Sequence, residues 1–181
     1  FNHVSCSINF IECHDNHTAY DKVDILRHDL SKKDKLQRVS FANNLILYSL
    51  GIPFFHAGQE IGLSKNGYGN TYNAGDSLNY FNYSLLKERS FMIDSFKEAI
   101  KQRKKMSFFH EVSMSVIDRN ASIIDLEKNG IMMEVNTRLG KEKHYRKVNF
   151  FINPNSEAIC YYRTSGDTLI IPPMTVKVQE K

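Results

Sequence analysis

The sequence predicts two structural classes in one chain, a parallel α/β part followed by an all-β part. Three observations carry that reading. The apolar stretches "SINFI" (7–11) and "IPFF" (52–55) each end in polar residues. A helical pattern follows each of them, and from residue 112 onward the hydrophobic period shortens to that of strands. A length of 181 residues, with 41% hydrophobic and 24% charged, suffices for a core of ordinary soluble composition. No apolar run approaches the ~20 residues of a membrane helix, so no membrane partner is expected.

The elements follow in order. "SINFI" reads as a buried strand, and "ECHDNHT" (12–18) then places two carboxylates, two histidines and an asparagine within six residues. From Ser31 to Gly51, Leu36, Val39, Asn43, Ile46 and Leu50 form one helical stripe. Ser31 with Asp34 resembles a capping box, and Gly51 before Ile52-Pro53 is a helix stop. Ile52 to Phe55 reads as a strand covered on both faces, which makes Phe54 and Phe55 core residues. His56 and Glu60 behind it read as structural partners at the strand end. Residues 62–84, rich in glycine, asparagine and tyrosine, form a long loop of the kind that is usually functional. A second helix runs from about Ser90 to Lys105, with Met92, Ile93, Phe96 and Ile100 on one face. Its "KQRKK" end (101–105) carries much of the net charge of +4 and reads as a solvated helix end, not a nucleic-acid surface.

Seven runs then suggest strands: "VSMSVI", "ASIIDL", "IMMEVN", "KVNFFINP", "AICYYR", "TLIIPP" and "TVKVQE", with Asn129-Gly130 as a hairpin signal. They imply a β-sandwich of about 70 residues, and the expected division is 1–108 and 109–181. Cys6, Cys13 and Cys160 match neither a disulfide framework nor a zinc ribbon, and are read as reduced core or near-core thiols. That favours a cytoplasmic location. The chain begins at Phe1 with no leader pattern behind it, so it is expected to be cut from a longer protein.

Ligand sites of βα units lie beyond the carboxyl ends of the strands, which gives "ECHDNHT" a reason to be polar. Such residues can stabilise a cationic sugar transition state, ligate a metal or form a hydrogen-bonded rim network. A metal would draw on Glu12, His14, Asp15 and His17. Strand alternation separates His14 from His17, and no HExxH occurs, so no metal is expected. A serine hydrolase is excluded by the absence of G-x-S-x-G. The spacing alone does not choose among the remaining readings.

The stretches "INFIECHDNHTAYDK" (8–22), "GIPFFHAGQEIGLSKNG" (51–67) and "NTYNAGD" (70–76) resemble, in order and spacing, motifs near the end of the catalytic barrel of type I pullulanases, debranching members of the alpha-amylase superfamily. The resemblance implies the last two βα units of a (β/α)₈ TIM barrel followed by a C-terminal β-sandwich, with the N-terminal part of the barrel as the missing partner. The implied reaction is retaining hydrolysis of α-1,6-glucosidic bonds in pullulan, glycogen or starch-derived glucans. Asp15 would be the transition-state stabiliser and His14 would bind substrate hydroxyls. Tyr72, Asp76 and Asn79 would contact the neighbouring glucose, while Asp21 and Lys22 would serve as scaffold. The family carries Leu-Trp where this chain has Ala19-Tyr20, and the chain has no tryptophan, so sugar stacking would fall to tyrosine, Tyr20 included. The nucleophilic Asp and acid/base Glu of the superfamily lie upstream, so this stretch alone is expected to be inactive, since the reaction needs two carboxyls ~5–5.5 Å apart. An isoamylase, an α-1,4-amylase and a non-catalytic glucan-binding remnant are the alternatives. No cofactor is implied; calcium stays open.

Overall fold

The computed structural model describes residues 3–110, 113–136 and 147–180. The chain divides into two compact bodies, Ser7–Arg103 and a second made of Phe1–Cys6 with Lys104–Lys181. No described helix is long and apolar enough to cross a membrane.

The first body opens with strand β1 (Ile8–Asn9), which pairs in parallel with β2 (Ile52–Pro53) in the register Ile8↔Ile52. Between them lie α1 (Ala19–Leu26) and α2 (Lys32–Leu47), and after them α3 (Asp76–Asn79), α4 (Leu85–Glu88) and α5 (Ser90–Lys105). The Ser31 hydroxyl caps α2 by accepting the Asp34 N–H at 3.2 Å, as its spacing predicts. Leu36 and Val39 of α2 meet Ala19 of α1 and Met92 of α5 in the core, with Ile11, Tyr20 and Val23 packed against them. Each buried Leu or Val contributes roughly 1.5–3 kcal/mol. Helix α1 was not expected from the hydrophobic pattern. Its signal is Thr18-x-x-Asp21, in which the Thr18 hydroxyl accepts the Asp21 N–H at 3.0 Å.

Three expectations are corrected here. The strands are two residues long and their apolar side chains are open, Ile8 being 61% and Ile52 46% exposed, and Phe54 just after β2 is 44% exposed. Among the described residues β1 and β2 pair only with each other, and Phe54, which meets the Phe10 ring edge-on at 6.0 Å, is not core. Phe55 is half-buried against Phe96, ring to ring at 4.8 Å. The "KQRKK" end is not wholly solvated, because buried Arg103 donates to the carbonyls of Leu47, Ser49 and Gly51 at 2.6–2.7 Å. It satisfies chain ends that the close of α2 leaves open. Gly51 itself has φ +98°, and a Cβ there would come 2.8 Å from the Ser7 carbonyl oxygen, so only glycine fits.

In the second body, α6 (Met114–Asn120) precedes β3 (Ala121–Asp125), β4 (Ile131–Asn136), β5 (Lys147–Asn153), β6 (Ile159–Tyr162), β7 (Thr168–Ile171) and β8 (Thr175–Glu180). An antiparallel four-stranded sheet runs in the order β3-β4-β5-β8, and β6-β7 form a separate hairpin. Met132 and Phe151 of the sheet share a core with Ile159 and Ile171 of the hairpin, so two sheets face one another as a sandwich requires. Phe150 points the other way and meets Phe109 at 5.8 Å, which leaves β5 covered on both faces. The expected strand at 112–117 is overturned from Ser113 onward, where the chain is the N-cap and first turns of α6. Arg119 and Asn120 donate to the carbonyls four residues back, Ser115 at 2.9 Å and Val116 at 2.8 Å, and satisfy the end of this short helix. The thiols are free as expected, but Cys6 is exposed and Cys13 and Cys160 are half-buried.

Candidate functional site

The polar stretch after β1 separates into residues that are tied down and residues that are left open. Glu12 is 2% exposed; one carboxylate oxygen accepts the Ala19 N–H at 2.7 Å and the other meets His56 Nδ1 at 2.8 Å. This single carboxylate caps the positive end of α1 and joins the segment after β1 to the segment after β2. Asp21, also buried, accepts the Ser64 hydroxyl at 2.5 Å and the Lys65 N–H at 2.8 Å. Lys22 donates to the Ile11 carbonyl at 2.7 Å. Asp21 and Lys22 thus hold, respectively, the start of the long loop and the end of the first strand segment. His56 is engaged with Glu12, and Glu60 accepts the Gly58 N–H at 2.9 Å.

His14 and Asp15 are left open. Their side chains are 75% and 63% exposed, with His14 Nε2 3.3 Å from Asp15 Oδ2. The backbone beneath them is fixed. Asp15 forms an isolated antiparallel bridge to Asn70 in the long loop, and Asn16 takes a left-handed φ of 63°. His17, half-buried, stands against Gly69.

A cavity of about 400 Å³ lies beyond the strand ends, with Glu12, His14, His56, Lys65, Tyr72 and Asn79 in its wall. Of the residues singled out from the sequence, His14, Tyr72 and Asn79 are brought together here. Asp15 stands beside His14 but does not line the cavity. Tyr72 is 75% exposed. Asn79 spends its amide on the loop, donating to the carbonyls of Thr71 and Ala74 at 2.7 and 3.0 Å and accepting the Thr71 hydroxyl at 2.9 Å. Asp76 is exposed in the first turn of α3, away from the cavity wall. Tyr20 is not brought to the cavity either. It packs on the core cluster, with the Arg89 guanidinium 5.8 Å from its ring centre. Lys65 was missed from the sequence, and its Nζ donates to Thr71 Oγ1 at 2.9 Å from within the cavity wall. The available signal was its place in "LSKNG", directly after the apolar Ile61-Gly62-Leu63 segment.

The donor set that converges also differs from the one the spacing suggested. Glu12 is occupied and His17 is turned to Gly69, while Cys13, His14 and Asp15 each offer a ligand atom within 4.8 Å of the others. Strand alternation would separate His14 from its neighbours, and the bend after β1 removes that separation.

Comparison with known proteins adds relatives to this geometry. No family model matches the chain. A pullulanase of Bacillus subtilis (strain 168) is 31% identical over 125 residues, 69% of this chain and 17% of that protein. The solved pullulanase from Bacillus acidopullulyticus superposes with a TM-score of 0.87 at 22% identity, over 96% of this chain and 24% of that one. A pullulanase from Anoxybacillus sp. LM18-11, solved in complex with maltotriose, superposes at 0.86 with 23% identity over 98% of this chain and 27% of that one. The chain therefore spans under a fifth of the curated relative and about a quarter of each solved chain. In sequence and in fold alike, this chain is a relative of the pullulanases, matched to a part of their length.

Proposed function

We propose that this chain is the part of a debranching glycoside hydrolase that closes the end of its catalytic barrel, and that the complete protein cleaves α-1,6-glucosidic bonds in pullulan, glycogen or starch-derived glucans with retention of configuration. The observation that carries the proposal is the cavity beyond the carboxyl ends of two parallel strands, with His14 in its wall and Asp15 beside it. That is where a βα unit presents a ligand site. The maltotriose complex of the Anoxybacillus relative supports a glucan as the ligand. The open apolar side chains of β1 and β2 support further strands of a barrel as their cover.

In this reading His14 donates to or accepts from the hydroxyls of the sugar at the bond being cut. Asp15 accepts from neighbouring hydroxyls and helps the ring flatten toward its oxocarbenium-like state. Tyr72 offers an exposed ring to the adjacent glucose, with exposed Asp76 as a further substrate-side residue; Asn79 would act by holding the loop in place, and Tyr20, packed on the core, would support α1 and not stack on sugar. The nucleophilic and acid/base carboxyls come from elsewhere in the complete protein, so the isolated chain does not turn over substrate.

The test is Asp15→Asn in the complete protein, assayed on pullulan and on amylose. Asp15 is open to solvent, so the expectation is a kcat lower by orders of magnitude with little change in Tm. Near-normal kcat in the variant would remove this reading. Release of sugars from amylose but no maltotriose from pullulan would move the activity to α-1,4 bonds.

A further inference from the structure

We infer that Cys13, His14 and Asp15 form a binding site for a thiophilic divalent cation of the zinc class, and that the ion competes with the sugar for His14 and Asp15. Three different donors meet here: a thiol, an imidazole and a carboxylate, all within 4.8 Å of one another. His14 Nε2 and Asp15 Oδ2 are already 3.3 Å apart. Bond lengths of about 2.0–2.3 Å in a tetrahedral zinc site put neighbouring ligand atoms about 3.3–3.8 Å apart, so small side-chain rotations complete the set.

The backbone is held in the bent form that makes this convergence possible. Glu12 ties one side to Ala19 and His56, and the Asp15–Asn70 bridge with the left-handed Asn16 ties the other. The Cys13 thiol donates to the Asp15 carbonyl at 3.5 Å, which keeps it on the same side of the bend. On coordination that weak bond is exchanged for a metal–thiolate bond, and the thiol proton leaves to solvent.

The donor set selects the class of ion. Calcium and magnesium take oxygen ligands, whereas one sulfur with one nitrogen and one oxygen suits zinc and cadmium. Three protein ligands leave a fourth position for water, and the exposure of His14 and Asp15 keeps the approach open. The competition with sugar rests on the function proposed above, but the binding itself does not.

The experiment uses the complete protein, stripped with a chelator and titrated with Cd²⁺ alone while the thiolate-to-metal charge-transfer absorption is followed. Expected is a band that disappears in Cys13→Ser and in Cys13→Ala, two variants whose folding is checked by circular dichroism, and that survives in Cys6→Ser and Cys160→Ser. His14→Gln and Asp15→Asn should each weaken binding on the order of tenfold or more. A band that persists in both Cys13 variants overturns the inference. So does an affinity unmoved by both His14→Gln and Asp15→Asn, which would mean thiol capture alone. If the band behaves as expected while Asp15→Asn retains full turnover, the metal site stands and the glucan reading falls. If turnover collapses in Asp15→Asn while no Cys13-dependent band forms, the reverse holds.

Discussion

The two bodies of the chain are held by different kinds of interaction. In the body containing Lys104–Lys181, strand alternation delivers Met132, Phe151, Ile159 and Ile171 to one apolar core, and register carries the structure. In Ser7–Arg103 the corresponding cluster is Ala19, Leu36, Val39 and Met92, and buried polar side chains tied to backbone do much of the holding. Arg103 binds three carbonyls, Arg89 binds those of Ile61 and Gly62, Asp21 holds the Lys65 N–H, and Glu12 holds that of Ala19. The difference follows from what each body has to position. Loops that present ligand-facing residues lack ladder partners, so side chains must supply their hydrogen bonds.

The sharpest contrast comes from removing one anchor of each kind. Phe151 is fully buried between sheet and hairpin, against Met132, Ile159 and the Tyr161 ring at 5.1 Å. Phe151→Ala should cost about 3–5 kcal/mol in chemical denaturation, because the sheet cannot close over the void. Its amide-exchange losses should concentrate in β4 to β7. Arg103→Met should cost about 2–4 kcal/mol, since an apolar side chain of similar length leaves buried carbonyls unpaired. Exchange should rise at the end of α2 and at residues 47–51. If Arg103→Met were silent, the polar-anchor account of the first body would be wrong.

A smaller effect tests the anchor nearest the site. Glu12→Ala removes the partner of both the Ala19 N–H and His56 Nδ1, at a cost of about 1–3 kcal/mol. Faster exchange at Ala19 together with a rise in KM on pullulan would show that the cap also sets the pose of His14. A stability loss with KM unchanged would confine Glu12 to scaffold.

These contrasts also explain what could be read from the sequence. The capping pair Ser31–Asp34, the helix Ser90–Lys105 and six of the seven expected strand runs are local signals, and the structure carries them, whereas the helix expected to run to a stop at Gly51 already ends at Leu47, with Tyr48 as its C-cap. Residues 113–117 misled because alternating serine and apolar residues fit a strand as well as a short helix. The side-chain bonds of Arg119 and Asn120 then decide for the helix. Asn129-Gly130 marked a turn, but the left-handed pair is Lys128 and Asn129, while Gly130 is extended at φ −70°. A Cβ there would come 2.3 Å from Ile159 Cδ1, a contact between segments far apart in sequence, so a larger residue would require the Ile159 side chain to shift. Arg103 hid for the same reason, its partners lying 52–56 residues away. His14 and Tyr72 were legible through motif resemblance, and both reach the cavity. Tyr20 reaches the core instead, since its place on α1 beside Arg89 is fixed by packing that spacing does not encode.

The smallest expected effect belongs to a charge pair of a third kind, at the surface. Arg27 grips Asp29 with two hydrogen bonds of 2.8 Å. That bond, the largest cause, holds the Asp29 carboxyl down at about 2. A carboxylate whose pKa is lowered on folding contributes stability above its unfolded pKa and loses it as pH falls through the folded value. The window here runs from ~4, the unfolded carboxylate value, downward, to about 2. Both partners are about half exposed and two residues apart, so water and salt screen the pair and the unfolded chain keeps them close. Asp29→Asn should therefore shift the urea midpoint less than Glu12→Ala at neutral pH, and not measurably at the acid end of that window, with the difference shrinking further in added salt. A midpoint shift as large as that of Arg103→Met would mean that surface pairing, and not buried polar anchoring, holds the first body together.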